Sequence, residues 1–411
     1  MISYQEQILP NGLALISHQD LSTPLVVVNL LYKVGSRNEQ ADKTGFAHLF
    51  EHLMFGGSAN VPDFDKVLHN VGAENNAFTN TDLTNYYIIL NSANLETALW
   101  LESDRMQYLT MDQGRLDVQK NVVVEEFNQR YLNVPYGDVW LRLRPLAYKV
   151  HPYKWATIGK KPEHIRQATL PDVQDFYSKH YTPDNAILTI AGNISAELAY
   201  ELAQKWFGET SGSTNTINAI ESEPRQDSPR REEVFGKGPM DAIYKAYHMP
   251  ARGSRNYVTA DLAADLLGRS KSSRLFQSLV KKRTFFNSIN AYITGSADPG
   301  LLVISGKINP GQSREDAEKY MNEEIEKIKY DIGDYEMEKV IHQAISTACF
   351  AETELLNKAM SLSIAKSLGD TGLINKEMQW IRSTRKSDVI EMVQNILLEE
   401  NCSTLSYRST E

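Results

Sequence analysis

The sequence predicts an α+β protein made of two homologous α/β domains, each a mixed or antiparallel sheet with helices packed on one face. Three observations carry this expectation. A polar stretch near the middle divides the 411 residues into halves of similar length. The tetrapeptide Gly-Ser-Arg-Asn occurs twice, at 35–38 and 253–256. Around both copies the apolar runs, helical periodicities and turn signals follow the same order, as a duplicated unit requires.

The chain opens with two short strands around a Pro-Asn-Gly turn at 10–12. The run PLVVVNLLYKV, 24–34, reads as a strand, and AIYKAYHMP, 242–250, is its counterpart. A helical stretch follows each tetrapeptide, near 44–55 and at 257–268, and then a short amphipathic helix, 64–71 and 274–282. Two strand-like runs come next in each half: 75–82 and 84–91, then 287–295 and 300–308. Long helical patterns complete the halves at 94–109, 114–132, 314–330 and 335–365. Hairpin-like turns alternate with helices, which favours a mixed sheet over a doubly wound parallel one. The segment between, rich in Ser, Thr, Asn, Pro and charge, lacks periodicity and reads as a linker. The expected domains are therefore 1–210 and 233–411, joined by 211–232.

Composition narrows the function. The net charge of −9 argues against a general nucleic-acid binder, which needs a basic face. Cys349 and Cys402 form no CxxC pattern, so neither a disulfide framework nor a cysteine metal site is expected. No apolar run reaches the roughly 18 residues of a membrane span. The N-terminus lacks a basic segment followed by an apolar core. The expected compartment is the cytoplasm, with the periplasm open if a signal has been removed. The run GRSKSSRLF, 268–276, lacks the glycine and Gly-Lys-Ser/Thr spacing of a phosphate loop.

The chemistry lies in TGFAHLFEHLMFGG, 44–57. On a helix His48 and His52 share a face, with Glu51 beside them. Two such imidazoles can reach one zinc at about 2.0–2.1 Å. Glu51 would then act as general base and acid. The apolar surroundings, Phe46, Leu49, Phe50, Leu53, Met54 and Phe55, predict that these polar groups are buried and need partners. A shift of 218 residues superimposes the tetrapeptides and carries His48, Glu51 and His52 onto Leu266, Arg269 and Ser270, so the chemistry belongs to the first half. A third ligand is expected from VVVEEFNQRY, 122–131. Glu125 and Glu126 point about 100° apart on a helix, so at most one faces the metal.

With HxxEH and a downstream glutamate, and with NGL at 11–13, VGSRNE at 34–39, NAFTNTDLTNYY at 76–87 and HPY at 151–153, the sequence resembles the pitrilysin (M16) family of zinc metallopeptidases. It looks most like short bacterial members related to mitochondrial processing peptidase. The resemblance implies a LuxS/MPP-like fold and one Zn2+ per chain, held by His48, His52 and Glu126, with Glu51 as the base. It implies a peptide substrate added as a strand along Asn76, Ala77 and Phe78. The family often has a glutamate where this chain has Gln119, so an amide is expected to orient the site there. It also implies a dimeric clamshell. Complete enzymes carry an arginine and a tyrosine in the second half. Here those places hold Val280 and Asn287, with Arg283 and Arg274 nearby. The expected active form is a heterodimer whose partner is a homologue supplying the pair. Two other readings stand beside the peptidase: a non-catalytic structural or chaperone-like subunit of the same fold, and a zinc-dependent binding module.

Overall fold

The computed structural model describes residues 1–212 and 219–410, so 213–218 of the expected linker lie outside the described residues. The chain forms two compact units, each built on one sheet. The strands are β1 Gln5–Ile8, β2 Ala14–Gln19, β3 Leu25–Tyr32, β4 Glu74–Thr79, β5 Thr84–Asn91, β6 Ala186–Gly192, β7 Arg230–Gly236, β8 Ala242–Met249, β9 Phe286–Ile293, β10 Gly300–Ile308 and β11 Cys402–Ser409.

The first sheet has the order β1-β2-β6-β3-β5-β4, and the second β7-β11-β8-β10-β9. Both are mixed, as expected. The parallel pairs are β2–β6 and β7–β11, and the remaining neighbours are antiparallel. Each strand-like run of the sequence became a strand, and β4 and β9 are edge strands of their sheets. Among the described residues no helix is long and apolar enough to cross a membrane.

The compact units do not follow two continuous halves. Residues 128–154 belong to the second unit, and Phe350–Asn375 to the first. The physical reason is visible in β3. Its sequence, LVVVNLLY, is apolar on both alternating faces, as a strand covered on both sides must be. The helices Leu95–Tyr108 and Ala196–Phe207 supply the expected layer on one face. On the other, Val27 and Leu31 meet Ala359 and Leu362 of the helix Leu355–Ser367. In the second unit the helix Val139–Ala147 does the same: Val139 and Leu143 pack against Ala246, Val303 and Leu405. The expected single helical pattern of 335–365 is accordingly two helices, Asp334–Ala351 and Leu355–Ser367.

Two further differences concern polar residues. The expected linker ends early, because β7 begins at Arg230. Within it, the Glu223 carboxylate accepts the backbone N–H groups of Lys149, Val150 and His151, each at 2.8 Å. Gln226, only 2% exposed, donates to the carbonyls of Ser228 and Cys402 at 3.0 Å. Polar composition reads as a connector, but these side chains bond main-chain groups far along the chain instead.

The inner face of the first sheet carries a closed polar network. The Asn29 amide donates to Asn85 at 2.9 Å and to the Ser363 hydroxyl at 2.8 Å. Asn85 donates back to Asn29 at 2.8 Å, and Thr189 and Ser363 share a hydroxyl contact at 2.8 Å. All four residues are fully buried. A one-residue slip of β3 against β5 would strand these amides in an apolar interior, so the network fixes the register. Asn29→Ala leaves the Asn85 amide without its partner and should destabilise the protein by about 1–3 kcal/mol. The expected readout is a lower urea midpoint; an unchanged midpoint would show that the network contributes no stability.

Candidate metal centre

The motif helix spans Phe46–Leu53. Its large buried residues, Phe46, Leu49, Phe50 and Leu53, recur at the spacing of one helical face. Phe50 stacks on Phe176 and on Tyr181, each with ring centroids 5.1 Å apart. That face is therefore fixed, and His48, Glu51 and His52 are turned the other way. They are half-buried rather than buried as the apolar surroundings had predicted, because they line the open side of the helix.

The helix Gln113–Phe127 brings the third group. Leu116, Val123, Val124 and Phe127 are its buried residues. Glu125 is exposed, whereas Glu126 is half-buried and faces the histidines. One Glu126 carboxylate oxygen lies 3.7 Å from His48 Nε2 and 3.4 Å from His52 Nε2. The imidazole rings are 4.9 Å apart and nearly perpendicular. Among the described residues, His48, His52 and Glu126 form the one group of three such side chains with ligand atoms all within 4.8 Å. Two atoms bound tetrahedrally to one zinc at ~2.0–2.1 Å would be separated by about 3.4 Å. The donor set and its spacing therefore fit a divalent ion with three protein ligands. Gln119 is half-buried, two turns before Glu126 on the same helix face.

Burial raises the pKa of Glu51, the largest influence on it, while the neighbouring Thr79 and His52 oppose that rise. A carboxylate moved towards neutrality is a better proton acceptor and donor at ordinary pH than an exposed one. Thr79 closes β4, so the edge strand runs beside the acid. Along this strand Ala77 shares the Thr79 face, and Asn76 and Phe78 point to the opposite one. Phe78 packs towards Leu83 and Leu362, Asn76 is exposed, and the Asn76 side chain accepts the Ala77 N–H at 2.8 Å.

One buried carboxyl was not anticipated. Glu39, 8% exposed, accepts the N–H groups of Gly45 and Ala47, each at 2.9 Å, at the start of the motif helix. Burial pushes its pKa up to about 8 against the pull of those donors. The sequence signal was indirect: the helix opens on Gly45, which has no side chain to cap it.

In the second unit, the positions matched to the motif carry no such set. Leu266 is buried, and Arg269 is paired with Asp265 at 2.7 Å and with Asp261. Val280 packs against the core of that unit, and Asn287 is exposed on β9. Arg274 makes a two-pronged pair with Glu336 at 2.7 and 2.6 Å, and Arg283 pairs with Glu323 at 3.3 Å. Both arginines are thus engaged within their own unit.

Known proteins share this architecture. Residues 14–137 match the family model described as insulinase (peptidase family M16), and residues 167–344 match that of the peptidase M16 inactive domain. The zinc protease PqqE of Helicobacter pylori is 32% identical over 327 residues, covering 78% of this chain and 73% of that protein. The uncharacterized zinc protease YmxG of Bacillus subtilis is 25% identical over 304 residues, covering 74% and 73%. The crystal structure of a protease from Helicobacter pylori matches with a TM-score of 0.94 at 28% identity, over 99% of this chain and 100% of that one. With both of its halves matched and a relative above 30% identity along most of its length, the chain belongs to peptidase family M16.

Proposed function

We propose that the protein is a zinc-dependent endopeptidase acting on unstructured peptides. The observation that carries this reading is the approach of His48 and His52 Nε2 to one Glu126 oxygen, with Glu51 on the same helix. The names of the two relatives, both zinc proteases, support it. A zinc ion held by these three ligands would supply Lewis acidity to the scissile carbonyl and to water. The chain's own residues do the rest. Glu51 accepts the proton of the attacking water and returns it to the amine nitrogen as the peptide bond breaks. The free edge of β4 offers main-chain donors and acceptors to an extended peptide, which gives affinity with weak sequence preference. Asn76, Ala77 and Phe78 are the proposed contacts. Gln119 would orient the Glu126 side of the site through an amide, without adding charge.

The same reading includes a partner. The arginine–tyrosine pair of complete enzymes is absent from Val280 and Asn287, and Arg274 and Arg283 are held in ion pairs. A heterodimer, in which this chain brings the metal and a homologue lacking HxxEH brings the pair, fits these residues better than a homodimer.

Three outcomes test the proposal. Glu51→Gln should retain zinc by elemental analysis yet lower kcat by about 10²–10⁴-fold, the usual contribution of a general base; undiminished hydrolysis would refute the role. His52→Ala should lower the zinc content of the purified protein well below one per chain. Mixing the chain with a homologue that carries the arginine–tyrosine pair should raise peptidase activity sharply, whereas equal activity from the chain alone would rule out the heterodimer.

A further inference from the structure

The segment 35–39 touches two parts of the proposed site that lie far apart in sequence. At one end it holds the turn between β4 and β5. Ser36 N–H donates to the Asn80 carbonyl at 3.2 Å, and Arg37 N–H to the Thr81 carbonyl at 2.9 Å. The Arg37 guanidinium pairs with Asp82 at 3.2 Å. Gly35 is pressed so close to this turn that a Cβ there would lie 2.5 Å from Asp82 N, so only glycine fits. The turn itself is stiff, because the Asn80 side chain accepts the N–H groups of Asp82 and Leu83 at 2.7 and 3.0 Å.

At the other end, Glu39 holds the motif helix. That helix is two turns long and cannot cap itself. Gly45 lies at its N-cap with φ of 92°, and a Cβ there would meet the Ile158 carbonyl at 2.6 Å. A helix this short is marginal without outside support, and its first N–H groups have no partner within it. Both oxygens of Glu39 are used, one on Gly45 and one on Ala47, the residue before His48. The Trp155 indole donates to the Ser36 carbonyl at 2.8 Å and closes the segment from outside. The second Gly-Ser-Arg-Asn copy is used differently. There Ser254 caps its own helix, accepting Tyr257 N–H at 3.2 Å, and that helix begins at Arg255. Its arginine, Arg255, reaches Asp388 at 3.3 Å and the Ser383 carbonyl at 3.1 Å, so that copy ties its helix to Lys386–Ile396, whereas the first copy, with residues 39–45 placed before its helix, ties the motif helix to the turn after β4.

We infer that Gly35–Glu39 is a brace that fixes the motif helix relative to the peptide-binding edge, with Glu39 and Arg37 as positioning residues. Glu39 sets the start of the helix that carries His48, Glu51 and His52. Arg37 sets the turn that ends β4 next to Glu51. A peptide laid on β4 would then reach Glu51 at a distance that this five-residue segment helps to set.

The kinetic part of this inference rests on the peptidase reading, and the structural part does not. The test uses the full chain with Glu39→Ala, Glu39→Gln, Arg37→Ala and Arg37→Lys. It reads hydrogen exchange over 45–54 and 74–84, zinc affinity by competition with a chromophoric chelator, and kcat and KM. Glu39→Ala should speed exchange over 45–54, weaken zinc binding and lower kcat by about tenfold to a hundredfold, the scale of a small misplacement. Glu39→Gln, which keeps one acceptor, should fall between it and wild type. Arg37→Ala should speed exchange over 80–84 and raise KM while kcat holds, with partial recovery in Arg37→Lys. Exchange unaltered over 45–54 in both Glu39 variants, or altered equally throughout the chain, would overturn the brace. So would Arg37 variants that change nothing over 80–84. If the wild-type chain binds zinc without cleaving peptides, the peptidase reading fails while exchange and affinity still decide the brace. Should Glu39→Ala fail to fold, Glu39→Gln carries the comparison.

Discussion

A carboxylate must be held 3.4–3.7 Å from two imidazoles by helices that share no sequence neighbourhood. Such groups repel the apolar interior and, left alone, would turn to water. The first unit is arranged so that they cannot. The aromatic face of the motif helix is stacked on Phe176 and Tyr181, which fixes its rotation. The Glu39 carboxylate fixes where it starts. The apolar residues of Gln113–Phe127 fix the side on which Glu126 emerges. Rotation, start and facing are separate constraints, and each is supplied by a different part of the chain.

Much of this was legible in the sequence because it depends on short-range periodicity. The spacing of His48, Glu51 and His52 states their common face, and the intervening Leu49, Phe50 and Leu53 state the opposite one. The strand runs were readable from β-branched and aromatic residues between turn signals. The choice of Glu126 over Glu125 was not fixed by spacing. It came from family resemblance; in the structure Glu125 is exposed and Glu126 half-buried. What stayed hidden is long-range. The two-sided apolar pattern of β3 announces that something covers its second face, but no local feature says that the cover is Leu355–Ser367. Likewise Glu39 stands in a polar stretch like any surface acid, and only the uncapped start of the next helix hints at its use. Glu223 and Gln226 show the same limit: polar side chains that bond distant main chain look, in sequence, like solvent-facing loop.

Duplication explains both the similarity and the division of labour. The two sheets keep equivalent strand orders, apart from the additional β1 in the first. Where one copy places Glu51, the other places Arg269, tied to two aspartates. Charges that in one unit face an open site serve in the other to hold the unit together. The repeated tetrapeptide has likewise diverged: Ser254 caps its own helix and Arg255 reaches Asp388, while Ser36 and Arg37 hold the turn after β4. Retention of fold with reassignment of its polar positions is what function grafted on a scaffold predicts.

The helix Leu355–Ser367 has a consequence for how the molecule is made. Asn29 finds Ser363 334 residues further along the chain. During synthesis the first sheet emerges long before its second covering helix, so Val27, Asn29 and Leu31 wait with one face bare. Contacts this remote in sequence close late and slowly, since loop closure must precede any gain from them. The nascent first unit therefore stays incomplete until Leu355–Ser367 has been made, and the polar network around Asn29 becomes whole only once Ser363 has left the ribosome.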